Sequence, residues 1–232
     1  MKLKGKPLSL FLTRHTNKDI NQNPTKYGLR KSREEGKGLN SSTIFKGYTS
    51  QSKRAASALN EMEKGFKSIN GRVISSKNPL RNELAEKTIF KDMEKVMDYW
   101  RNETNSNDLL FQQKWLNNEV PTKIAKSPKE VADEVISKRI GQAIRFLRLK
   151  QRNNEIAKLP EIHLRSITHG FITHAVFQRL TGMKYFEKYK KDTGIREGLV
   201  FDFYPTKEKV KIMMTYRGES FDVTNQVYKI IK

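Results

Sequence analysis

Cysteine is absent from all 232 residues. That excludes disulfides, thiolate zinc sites and cysteine nucleophiles, and it suits a reducing compartment, so a cytoplasmic location is expected. Acidic residues are scarce as well: 25 Asp and Glu stand against 46 Lys and Arg, a formal net charge of +21. Such an excess attracts polyanions in general and says nothing about fold. The lysines are scattered along the whole chain, and neither zinc-finger spacing nor a Gly/aromatic RNA-binding signature accompanies them. A solvated lysine surface therefore accounts for them better than a nucleic-acid interface. Apolar residues make up only 36%, and no run approaches the roughly 18 apolar residues of a membrane span. The opening MKLKGKPLSLFLTRH has a basic start, but Pro7 and Ser9 interrupt its apolar part, Arg14 ends it and no small-residue cleavage site follows. It reads as a first strand. No long Pro/Gly/Ser linker divides the chain and no internal repeat is visible, so one domain spanning 1–232 is expected.

What is present alternates between strand and helix. PLSLFLT is short, apolar and entered through a proline, as in a central parallel strand. Residues 16–49 are rich in polar and small side chains and read as a long loop holding a short helix near Ser32 to Leu39. The stretch SQSKRAASALNEMEKGFKSI puts Ala55, Leu59, Met62, Phe66 and Ile69 on one helical stripe, with Ser50 or Ser52 available as N-cap. GRVISSKN has the brevity and branching of a second strand. Residues 84–158 are helical in character and heavily charged, and the segment starting at Ser127-Pro128 has a cap and first-turn pair. EIHLRSIT then reads as a strand, GFITHAVFQRLTG as a helix, and the tail as three short strands or a hairpin with a return. This order predicts a three-layer α/β/α sandwich with a mostly parallel central sheet, a helical insertion at about 84–160 and an antiparallel addition from the tail.

Two of the strands end alike: LFLTRH and LRSITHG each finish in threonine and then present a histidine, His15 or His169. In an open parallel sheet, ligands bind outside the carboxyl ends of the strands. A helix starting at Gly170 would add backbone N–H groups that favour an anion. LTRHTNKDIN resembles the N-terminal motif of the histidine phosphatase superfamily, to which the phosphoglycerate mutases belong, with Arg14, His15 and Asn21 in place and Thr16 standing where the family commonly has glycine. TSQSKRAASA is similar to the family segment that contributes a phosphate-binding arginine, here Arg54. NPLRNE resembles the acid segment, with Glu83 one position away from the commonest Leu-x-Glu spacing, and ITHG matches the second histidine block at His169. The resemblance implies a phosphoglycerate mutase-like fold with catalytic His15, Glu83 and His169, and a phosphate site of Arg14, Asn21, Arg54 and His169. Gly170 after the second histidine places the likeness in the mutase-like branch.

Those residue types suit phosphoryl transfer. Guanidinium groups bind phosphate oxygens in pairs and stay charged, and positioning with electrostatics dominates this chemistry. The resemblance implies attack by His15 to form a phosphohistidine, charge stabilisation by His169 and proton transfer by Glu83, with no metal or other cofactor. Other readings stand beside these. Glu83 also suits a first-turn helix carboxylate. His163 reads as a packed strand residue and His174 as helix packing, five positions from His169 and thus a poor metal partner for it. Trp100 and Trp115 read as core anchors of the inserted helices. The expected function is a metal-independent phosphohydrolase acting on a phosphomonoester, either a small molecule or a phosphoprotein. The alternatives are a phosphoglycerate-type mutase and a non-catalytic module binding nucleic acid or another polyanion. The lysines of the insertion and of the 16–49 loop point to a polyanionic substrate.

Overall fold

The computed structural model describes residues 8–14, 19, 23–74, 79–153, 158–190, 192–194, 197–206 and 208–232. Strand β1, Leu8–Arg14, is followed by helix α1, Lys26–Lys37, strand β2, Ile44–Thr49, helix α2, Lys53–Lys67, and the two-residue strand β3, Arg72–Val73. Two single turns, Asn82–Leu84 and Glu86–Thr88, lead into helices α3, Met93–Thr104, α4, Asp108–Leu116, and α5, Pro128–Val135. A wider π turn over Ile136–Ile140 carries α5 into α6, Gly141–Arg152. Then come β4, Ile162–Thr168, α7, Gly170–Thr181, α8, Tyr185–Tyr189, strands β5, Gly198–Pro205, β6, Val210–Tyr216, and β7, Glu219–Asp222, and finally α9, Thr224–Ile231.

Among the described residues the strands form one seven-stranded sheet in the order β3-β2-β4-β1-β5-β6-β7. The first four lie parallel, and β5 pairs antiparallel with β1 and opens an antiparallel run to β7. Strands from both ends of the chain are therefore neighbours, and Arg14 at the end of β1 sits in register with Thr168 at the end of β4.

Side-chain alternation along each strand feeds two cores. Leu8, Leu10 and Leu12 of β1 and Ile44 and Tyr48 of β2 face the core made with α3 to α7. Phe45 of β2 and Ile167 of β4 face the other way, onto Ala55, Leu59, Met62 and Phe66 of α2. This is the expected three-layer arrangement, with the inserted helices α3 to α6 on one face. Each such apolar side chain contributes about 1.5–3 kcal/mol on burial, far more than any single cap or surface ion pair, so the stripe on α2 decides where that helix lies. No helix among the described residues is long and apolar enough to cross a membrane.

Candidate active site

The parallel strands β1, β2 and β4 end on one edge of the sheet, and three of the residues singled out above converge there. Arg14 closes β1. Arg54 is the second residue of α2, whose N-terminus is set by the Ser52 side chain accepting the Ala55 N–H at 3.2 Å. His169 follows β4 directly and occupies the cap position of α7. Arg14, Arg54 and His169 line a single cavity of about 310 Å³, together with Glu86 and Gly170. His15 and Asn21 lie outside the described residues.

Each of the three side chains is held by its surroundings. The Arg14 Nη1 donates to Asp192 Oδ2 at 2.6 Å and to the Thr193 carbonyl. Asp192 is in turn 3.2 Å from the fully buried His174 Nε2, which accepts the Thr193 N–H at 3.1 Å. Burial pulls the His174 pKa below its ordinary value against the opposing pull of Asp192. Burial pushes the Asp192 carboxyl up, but His174 and Arg14 outweigh it and hold the group below the usual carboxylate range. Gly170 leaves room for this arrangement: a Cβ there would come within 3.1 Å of Asp192 Oδ1 and 3.7 Å of the Arg14 guanidinium carbon. Burial lowers the Arg54 pKa, Glu86 opposes that and Arg14 adds to it, yet a guanidinium remains a cation at any working pH.

The His169 ring is fixed at both nitrogens. Its Nδ1 lies 3.2 Å from Glu86 Oε2, and its Nε2 lies 3.4 Å from the Ser50 hydroxyl. Ser50, fully buried at the end of β2, also accepts the Ser52 N–H at 3.3 Å. It is therefore Ser52 that caps α2, while Ser50 faces the histidine.

The expected acid, Glu83, is placed apart from Arg14, Arg54 and His169. Glu83 does not line the cavity. Its side chain is 5% exposed and its Oε1 lies 2.8 Å from Arg139 Nε, in the π turn between α5 and α6. The alignment is that of a charge contact rather than a hydrogen bond, and the Arg139 guanidinium also stacks over Tyr48, 4.8 Å from the ring centre. Burial lowers the Arg139 pKa and Glu83 opposes the shift. The carboxylate that reaches the cavity is Glu86, three residues on, carried there by the turn after Ala85. The sequence held the signal: Leu84-Ala85-Glu86 has the Leu-x-Glu spacing that Glu83 lacks.

His163 lies on β4, 3.5 Å from Glu161, and burial lowers its pKa. Trp115 is buried core, as expected, but Trp100 lines the cavity. Among the described residues no group of three or more His, Asp or Glu side chains is placed to hold a metal ion.

No protein-family model matches the chain, and no curated protein matches it in sequence. Solved structures do resemble it. One is a mycobacterial hydrolase with a TM-score of 0.57 at 13% identity, covering 92% of this chain and 99% of the other. The mycobacterial glucosyl-3-phosphoglycerate phosphatase complexed with VO3 gives 0.55 at 13% identity, covering 90% and 98%. A phosphoserine phosphatase mutant from Entamoeba histolytica in complex with phosphoserine gives 0.50 at 13% identity, covering 88% and 94%. With its strands in this order and helices on both faces of the sheet, the chain has the phosphoglycerate mutase-like fold.

Proposed function

We propose that the protein is a phosphatase that removes phosphate from a phosphomonoester through a phosphohistidine at His15. One observation carries this reading: Arg14, Arg54 and His169, supplied by three separate elements, line the same cavity. Two guanidinium groups and an imidazole around one concave site are what a dianionic phosphoryl group requires. Two of the similar structures are named as phosphatases, which supports the same reaction class.

In this reading an imidazole nitrogen of His15, the residue after Arg14, attacks phosphorus as the bond to the leaving oxygen breaks. Glu86 gives its carboxylic proton to that oxygen. Water then attacks the phosphohistidine, Glu86 takes the water's proton, and the P–N bond breaks to release inorganic phosphate. Arg14 and Arg54 hold the equatorial oxygens throughout, with His169 beside them on the cavity wall. Glu86 suits proton transfer because it contacts His169 at the cavity wall, whereas the Glu83 carboxylate is occupied by Arg139.

The test is release of phosphate from p-nitrophenyl phosphate by the purified protein in the presence of EDTA. Turnover should persist with the chelator and fall by about 10³ or more in His15→Ala. Acid quenching during turnover should trap an acid-labile phosphoprotein. Loss of activity with EDTA, or full activity of His15→Ala, would overturn the mechanism.

A further inference from the structure

We infer that the substrate is the phosphomonoester of an uncharged, apolar alcohol about the size of a single aromatic ring, bound against a wall that α3 and α4 build beside the phosphate site. The inference rests on the phosphatase reading above for where the phosphoryl group lies.

The composition of that wall is unexpected for so basic a chain. The insertion is rich in lysine and arginine, yet the side chains that it turns into the cavity are chiefly Phe90, Met93, Val96, Met97, Trp100 and Phe111. None is cationic. The sequence-based expectation of a polyanionic substrate therefore fails on this side of the site, because the lysines of α3 and α4 point elsewhere.

The wall is also preformed. Phe90, Phe111 and Phe171 meet edge to face with ring centres 5.9–6.2 Å apart, and Trp115 packs behind Phe171 at 5.5 Å. Toward solvent the surface ends in Met93 and Met97, one helical turn apart on α3 and 51% and 36% exposed. Thioethers left in water at the edge of an anion site need a reason, and their flexibility suits a ligand body of variable shape.

Two polar side chains complete the wall. Asp108 accepts the Trp100 indole N–H at 3.0 Å and would repel a second phosphate or carboxylate. Gln112 is 6% exposed, and its Oε1 has no hydrogen-bond partner among the described residues. An orphaned acceptor at the edge of an apolar surface calls for a donor, such as a hydroxyl or N–H on the bound molecule. A neighbouring cleft shares Arg54, Glu86 and His169 and is flanked by Lys53 and Lys87. Those lysines border the neighbouring cleft and not the cavity itself, so the preformed apolar wall is the stronger discriminator.

The experiment compares kcat/KM for 2-phenylethyl phosphate, glycerol 3-phosphate and 3-phosphoglycerate, three esters of simple alcohols, so leaving-group chemistry does not set the order. Alongside it, calorimetry measures binding of the inert 2-phenylethylphosphonate against methylphosphonate. We expect 2-phenylethyl phosphate to exceed glycerol 3-phosphate by at least about tenfold, with 3-phosphoglycerate the poorest. The phenylethyl phosphonate should bind at least about tenfold more tightly than the methyl compound. Met97→Lys and Asp108→Asn, checked for folding by thermal melts, should both narrow the gap between 2-phenylethyl phosphate and 3-phosphoglycerate.

Equal phosphonate affinities, or turnover favouring 3-phosphoglycerate, would overturn the apolar assignment and direct substrates to the lysine-flanked cleft. Failure to turn over any ester while the phenylethyl phosphonate still binds preferentially would defeat the phosphatase reading and leave the apolar assignment standing.

Discussion

At the scale of single residues, the two neighbouring glutamates face different surroundings, Glu83 the interior and Glu86 the cavity. Glu83 neutralises a buried guanidinium, so Glu83→Ala leaves Arg139 charged and unpaired in the interior. Removing one partner of such a pair costs about 3–5 kcal/mol, and a marked loss of thermal stability is expected. Glu86→Gln should fold normally and lose about 10²–10⁴ in kcat, with the loss greater for alkyl phosphates than for p-nitrophenyl phosphate, whose leaving group needs no proton. If Glu83→Gln instead showed that leaving-group dependence in steady-state assays, the assignment would revert to Glu83. The sequence pointed to Glu83 and the structure puts Glu86 on the cavity, because spacing alone does not say which carboxylate turns toward a distant arginine. Arg14, Arg54 and His169, two of them named through the family resemblance, each stand at the end of a strand or the start of a helix, and the structure brings all three to one cavity.

His174 shows what a sequence conceals. Its position within an apolar helix signals burial, and the structure adds that it organises Asp192 and Thr193, which hold Arg14. The sign of its pH effect follows from burial. In the unfolded chain an imidazole takes up a proton near pH 6.5, while in the folded protein the His174 pKa lies lower. The unfolded state thus binds more protons as pH falls below about 6.5, and stability is lost in that direction. His163 contributes in the same sense. Melting temperatures of the wild type should therefore drop between about pH 7 and pH 5, and His174→Phe should show a shallower slope. An identical slope in both would show that His174 does not titrate in this way.

At the scale of elements, the proposed phosphatase reading makes α2 a link between helix capping and the phosphate site, because Arg54 sits in its first turn. Ser52→Ala should cost about 0.5–2 kcal/mol, or roughly 2–4 °C of melting temperature per kcal/mol. It should also raise KM severalfold by loosening Arg54. Ser127→Ala supplies the control: this residue forms a capping box with Glu130 at the start of α5, so it should lower stability similarly without moving KM. Equal KM effects in the two variants would mean that the cap does not position Arg54. The packing of α2 is equally constrained at Gly65, where a Cβ would fall 2.1 Å from the Arg33 carbonyl oxygen of α1.

Elements with a strong period or a clear cap were legible in the sequence: β1, α2, the start of α5, β4 and α7. α1 was anticipated near Ser32 to Leu39 but begins at Lys26, where Thr25 accepts the Gly28 N–H. The short helices α8 and α9 carry too few residues to display a period. In GRVISSKN only Arg72 and Val73 pair as a strand, and 75–78 lie outside the described residues. The π turn at 136–140 was hidden because its residues continue the helical pattern on both sides.

At the scale of the whole molecule, the charge of +21 and the apolar wall of the cavity make opposite suggestions, and salt separates them. A diffuse cationic surface binds duplex DNA through phosphate contacts that weaken steeply with salt. Its field also draws in small anions from a distance, an effect screened beyond about 8 Å at physiological ionic strength. The cavity differs, since its selectivity comes from short contacts and apolar burial, which salt does not screen. Duplex DNA should accordingly bind at about 50 mM salt and be largely released by about 200 mM. Added DNA should leave the KM for 2-phenylethyl phosphate unchanged at the higher salt. The kcat/KM for that ester should fall only a fewfold over the same range, as steering alone is lost. Competitive inhibition by DNA that survives 200 mM salt would place a nucleic-acid backbone in the site itself, and the basic surface would then have to be read as part of the function rather than as a solvated exterior.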